Sequence, residues 1–177
     1  MLTDGEERYC TRIQDKINSL RTYLVGNNLG KSGDMASWYS FLSGIKSIQG
    51  NINNNISFVS TLLAKYYLLK QFDIESYDAA EKPQGAPGLD IDLINKSGER
   101  IVAEIKTTVP YNGNDFGAQQ KKMIEKDLTK LNDADANHKF MFVTEDDTFN
   151  ILCRPSYEDK IAGIHLVQLL TGQEHTV

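Results

Sequence analysis

Long apolar runs are missing from this chain of 177 residues. None approaches the roughly 20 residues that a helix needs to span a bilayer, so no membrane role is expected. Cysteine is scarce. Cys10 and Cys153 are too few for a disulfide framework or a zinc site, and they read as buried or half-buried thiols kept reduced in a cytoplasmic setting. The three histidines, His138, His165 and His175, show no spacing suited to metal binding or to a catalytic triad. There is no Gly-rich phosphate loop, no CxxC, no GxSxG and no internal repeat. The acid clusters Asp4–Glu7 and Glu145–Asp147 lack the periodic loop of a calcium site. The opening stretch MLTDGEERYC is acidic and polar, unlike a secretory signal.

What is present is an ordinary globular composition, 40% apolar and 24% charged, with a net charge of −5. That sign argues at first against a nucleic-acid partner. Its distribution softens the argument. Residues 1–72 and 100–130 carry a basic excess, whereas 73–99 and 131–177 carry an acidic one.

Hydrophobic spacing predicts helices over Asp4–Leu24, Met35–Ile48 and Ser57–Phe72, the last capped by Ser57 and largely buried. Trp38 and Tyr39 are expected in the core. Asp73–Ala80 reads as a short strand, then Glu81–Gly88 as a Pro/Gly loop. Leu89–Asn95 and Glu99–Val109 read as a strand pair. Ala118–Leu131 reads as an amphipathic helix with Ile124, Leu128 and Leu131 on one stripe. His138–Asp146 and Phe149–Pro155 read as strands, and a helix capped by Ser156 follows. The fold class is therefore α/β, a mixed central sheet flanked by helices. Residues 1–56 form a helical N-terminal extension, for dimerisation or DNA contact, and 57–177 form the α/β core.

The strand pair poses a chemical question. Glu104 and Lys106 sit on one face of an otherwise apolar strand, framed by Ala103 and Ile105. If Lys96-Ser97-Gly98 is a three-residue hairpin loop with Gly98 left-handed, Asn95 pairs with Glu99, and Asp90 then falls opposite Glu104. Opposed residues share a face with Cβ atoms ~5 Å apart. A two-residue loop would instead put these acids on opposite faces. Adjacent carboxylates repel unless a cation sits between them. Mg²⁺ suits such a pair, because it takes oxygen ligands and keeps several waters. A lysine beside it can orient a water or neutralise a phosphate.

These residues resemble the PD-(D/E)XK nuclease superfamily, the fold of many restriction endonucleases. Asp90 matches the first acid, Glu104 the second and Lys106 the lysine. The order of elements from Ser57 to Val143, about half the chain, is similar to the family core. Leu89 stands where the motif's name has proline. Asp92 competes with Asp90 as first acid, and the helix before the sheet carries no acid. The resemblance implies a restriction-endonuclease-like core that hydrolyses DNA phosphodiesters with Mg²⁺, for which Mn²⁺ can substitute. Asp90, Glu104 and the Ile105 carbonyl would hold the ion, and Lys106 would serve the attacking water or the scissile phosphate. Supporting roles would fall to Asp92, Gln119 and Gln120, and DNA contacts to Thr107, Lys121 and Lys122. Tyr111, Asn112 and Asn114 lie in the following loop, where recognition is often carried.

The expected function is thus a metal-dependent DNA endonuclease of type II restriction character, acting on double-stranded DNA, as a homodimer, in the cytoplasm. Two other readings stand beside it. One is a catalytically inactive nuclease-fold module for DNA binding or assembly. The other is a small-molecule or protein-interaction domain, favoured by the acidic pI.

Overall fold

The computed structural model describes residues 1–83, 85–111 and 115–177. Three helices lead the chain: α1 (Asp4–Gly26), α2 (Met35–Gln49) and α3 (Ile52–Gln71). A hairpin of β1 (Ile91–Ile94) and β2 (Arg100–Lys106) precedes α4 (Ala118–Asp133) and β3 (His138–Val143). Next come α5 (Asp146–Leu152), a 3₁₀ turn at Pro155–Tyr157, α6 (Glu158–Ile161), β4 (His165–Gln168) and β5 (Glu174–His175). The five strands form one open mixed sheet in the order β1-β2-β3-β4-β5. Its outer pairs are antiparallel, and β2, β3 and β4 run parallel. Among the described residues no helix is long and apolar enough to cross a membrane.

Period-2 alternation gives the sheet two apolar faces. Ile91, Ile101, Ala103, Phe140, Phe142 and Val167 pack against Ala64 and Leu68 of α3. On the other face, Val102, Met141, Val143 and Leu166 meet Ile124, Leu128 and Leu131 of α4 together with α5 and α6. Glu104 and Lys106 share the α4 face with Val102. The pattern of β2 therefore serves two helical layers at once, and Glu104 and Lys106 lie beside α4, whereas Arg100 at the start of the strand is partly exposed.

The N-terminal helices are joined to this core through α1. Tyr9 stacks on Phe58 of α3 with ring centroids 3.8 Å apart. Glu6, fully buried, accepts hydrogen bonds from its own N-cap amide (Thr3 N, 2.9 Å), from Lys65 Nζ (2.8 Å) and from Ala79 N (2.8 Å). One carboxylate thus ties α1, α3 and the segment before the hairpin. By contrast, α2 buries none of its residues.

Several expectations are corrected. Helix α3 begins a turn and a half before Ser57, because the Asn51 side chain accepts from Asn53 N (3.1 Å) and Asn54 N (3.4 Å) and caps the asparagine run. It is buried along one side only: Ile56, Val59, Tyr66 and Leu69 are exposed. Asp73–Ala80 is not a strand. Its amides go to side chains instead, Ala79 N to Glu6 and Ala80 N to Asp78 Oδ1 at 2.8 Å. The Phe149–Pro155 stretch is not a strand either. Its apolar residues belong to α5, whose first turn holds Asp146 and Asp147, placed where the helix dipole favours anions. Ser156 lies inside the 3₁₀ turn and caps nothing; the residue before α6 is Tyr157. Tyr39 is exposed, not core, and Trp38 is half-buried, its Nε1 donating to Gly30 O at 2.8 Å.

Candidate functional site

The hairpin loop sets the site. Asn95 N donates to Glu99 O (3.0 Å), Gly98 N donates to Asn95 O (3.0 Å), and Gly98 has φ +82°, a value L-residues disfavour. Asn95 Oδ1 also accepts from Ser97 N and Glu99 N, which locks the turn. The register that follows pairs Ile91 with Ala103 and Leu93 with Ile101. Extended by one residue, it sets Asp90 opposite Glu104 on the α4 face. Asp90 Oδ2 accepts from Ile105 N at 2.8 Å, so the first acid is fastened to the second strand.

Both acids line a cleft of ≈ 720 Å³. Its floor is Asp90, Glu104 and Lys106. One wall is the Pro/Gly loop with Tyr77 and Lys82, and the other is Met123, Lys126, Asp127 and Lys130 of α4. Ser57 and Thr61 of α3 close one side. The loop is held by Lys82, whose amine donates to Leu89 O, and it turns at Gly88 with φ +97°. Among the described lining residues, Lys82, Lys106, Lys126 and Lys130 face the acids Asp90, Glu104 and Asp127, an excess of one cation.

Its charges are interlocked. Glu104 is 2% exposed, and its Oε1 lies 2.9 Å from Lys130 Nζ. Lys130 also reaches Asp127 Oδ1 at 2.8 Å, and the other Asp127 oxygen is ion-paired with Lys106. Burial, then the neighbouring Asp90 charge, pushes the Glu104 carboxyl up to about 7; the Lys130 hydrogen bond pulls the other way, and Asp127 adds to the rise. For Lys130, burial favours the neutral amine, but hydrogen bonds to Asp127 and Glu104 outweigh it and hold the ammonium above its ordinary range. Tyr77 is raised well above the phenol range by burial and by the charges of Asp90, Glu6 and Asp78.

Asp90, Glu104, Ile105 and Lys106 are therefore brought together at one cleft. The other predicted residues are not. Asp92 is on the same face, but it is clamped by Arg100 through two bonds of 2.9 and 2.7 Å, which hold its carboxyl below the usual range. Gln119 is exposed. Gln120 fastens a loop: its Nε2 donates to Val109 O (2.7 Å), and its Oε1 accepts from Gly117 N (3.0 Å) and Tyr111 N (3.2 Å). Lys121 and Lys122 are exposed on α4 outside the cleft lining, and Thr107 is half-buried beyond the end of β2. Asn112 and Asn114 lie outside the described residues.

Asp127 and Lys130 were not foreseen. The signal was present: Asp127 sits on the same helical stripe as Ile124, Leu128 and Leu131, a buried position for a carboxylate. Lys130 reads from sequence, with Lys121, Lys122 and Lys126, either as a solvated helix face or as a phosphate contact, and neither reading pairs it with Glu104.

The donor set can be weighed for a divalent ion. Two opposed carboxylates at an open cleft, one of them buried beside other acids, fit a hard cation with oxygen ligands. Among the described residues no three His, Cys, Asp or Glu side chains cluster closely enough to hold a metal ion by themselves. Water, a backbone carbonyl or a substrate oxygen would have to complete the shell. No protein-family profile, curated protein or solved structure matches the chain.

Proposed function

We propose that this protein is a metal-dependent DNA endonuclease with a restriction-endonuclease-like core. The observation that carries the reading is the facing of Asp90 and Glu104 across the hairpin, with Lys106 two residues on, at the floor of a lysine-lined cleft. The run of helix, antiparallel hairpin, helix and parallel strand supports the same reading.

In this reading Asp90, Glu104 and the Ile105 carbonyl hold Mg²⁺ or Mn²⁺. Once bound, the ion would lower the pKa of a water and offset charge on the scissile phosphate. The chain's own part is arrangement. The Ile105 amide fixes the Asp90 carboxylate. Asp127 holds Lys106, whose amine faces the cleft and can donate to a phosphate oxygen. Lys82 and Lys126 extend positive charge along the walls, suited to the backbone of a double-stranded DNA substrate. A homodimer fits two cuts on antiparallel strands. Its contact surface would be the exposed apolar residues of the N-terminal helices, such as Ile17, Leu42 and Val59.

A second reading is supported by one observation. Glu104 already has a cationic partner in Lys130, as in a nuclease fold that binds DNA without cutting it. One assay separates the two: plasmid incubated at low salt with and without Mg²⁺ or Mn²⁺, beside a gel shift in Ca²⁺. The endonuclease requires metal-dependent nicking that Glu104→Gln and Lys106→Ala each abolish. Gel-shift binding with no turnover would leave the inactive module, and absence of both would leave a protein- or small-molecule-binding domain.

A further inference from the structure

We infer that Lys130 is a resident cation, occupying Glu104 when no metal is bound and releasing it as a divalent ion enters. This rests on the proposed metal site and concerns what controls entry to it. Glu104 is buried, and a buried carboxylate needs a compensating charge or hydrogen bond. Lys130 supplies both at 2.9 Å. Of the two lysines in the network, Lys130 is the one able to leave: its side chain is 32% exposed, against 15% for Lys106.

Asp127 makes the exchange feasible. It lies three residues before Lys130 on α4 and binds it at 2.8 Å, so the amine keeps one carboxylate partner when it lets go of Glu104. The released ammonium remains at the cleft with Lys126 and Lys82, where a phosphate group would meet it. Metal binding alone therefore costs one charge-assisted hydrogen bond, and a nucleic-acid phosphate restores a partner. Metal and DNA should then each tighten the binding of the other, because coupling between two sites is reciprocal.

Mn²⁺ binding to the full chain without nucleic acid tests this, followed by electron paramagnetic resonance at pH 8.5 and low salt. Lys130→Met should bind Mn²⁺ roughly tenfold more tightly than wild type, the equivalent of losing one competing charged hydrogen bond. Lys126→Met removes the same charge from the same cleft one turn away, and should change affinity by roughly twofold at most. Lys130→Arg, which keeps the charge and adds donors, should bind Mn²⁺ more weakly, and it carries the test should the methionine variant fold poorly. Affinity in Lys130→Met no greater than in Lys126→Met overturns the inference, as does tighter binding by Lys130→Arg. Glu104→Gln separates the two levels. Undiminished Mn²⁺ binding there refutes the metal site and the exchange with it. Loss of binding there, with no gain in Lys130→Met, refutes the exchange alone.

Discussion

Asp90 and Ile105 are joined across the hairpin by a side-chain-to-backbone hydrogen bond of 2.8 Å, which fixes the first acid relative to the second. The bond needs an oxygen acceptor, not a charge. Asp90→Asn should therefore keep the fold within about 1 kcal/mol of wild type, whereas Asp90→Ala, which strands the amide, should lose about 1–2 kcal/mol. Under the proposed function neither variant cuts DNA. Chemical denaturation beside a nicking assay checks both statements, and metal-dependent cutting by Asp90→Asn would remove Asp90 from the site.

Glu104 makes stability depend on pH in a definite direction. Its carboxyl rises from an ordinary value near 4.5 to about 7 in the folded protein, chiefly through burial and then through Asp90. Between those values the folded state binds more protons than the unfolded state, so stability falls as pH rises. The contribution is complete below about pH 4.5 and lost as pH passes 7, a change of about 3 kcal/mol. Metal-free protein melted across pH 4.5–8 should show this slope, and Glu104→Gln should flatten it. A wild-type slope of opposite sign that Glu104→Gln leaves unchanged would show that this carboxyl is not the group responsible.

What could be read in advance follows a physical division. The Asn95–Gly98 turn is local chemistry, and once it is fixed the facing of Asp90 and Glu104 is arithmetic in steps of two residues. The stripe of Ile124, Leu128 and Leu131 was likewise visible. The pairing of Lys130 with Glu104 was not, because it depends on where α4 lies across the sheet, and sequence spacing within the helix does not carry that. Glu6 and Lys65 are 59 residues apart and meet only when α1 docks on α3. The strand expected at Phe149–Pro155 failed for a different reason. A short apolar run has no distinctive period, and the acids before it, which mark a helix start, were the better guide.

Gln120 offers a test that separates loop order from chemistry. Its amide joins Val109, Tyr111 and Gly117, the described residues on both sides of the loop between β2 and α4. It touches neither acid of the site. Gln120→Ala should raise amide hydrogen exchange at Tyr111 and Gly117 while leaving the cores of β2 and α4 protected. If the protein is a nuclease, the variant should weaken DNA binding more than it slows the cleavage step. Unchanged exchange at both amides would mean that the loop is held by other contacts.

The buried pair of Glu6 and Lys65 predicts the largest loss of stability. Both side chains are almost wholly removed from solvent, and Glu6 is also bonded to Thr3 N and Ala79 N. Removing one partner leaves a charge with too little compensation in a low-dielectric setting. Lys65→Met should thus cost about 3–5 kcal/mol in urea denaturation. Removing both charges should cost less than the sum of the single changes, because the double variant Glu6→Gln/Lys65→Met strands no ion. The loss should also reach the cleft. Ala79, which donates to Glu6, lines it beside Tyr77, so Lys65→Met should loosen that wall before the sheet unfolds. A Lys65→Met protein within about 0.5 kcal/mol of wild type would mean that the amides alone satisfy Glu6, and that the lysine adds nothing net to folding.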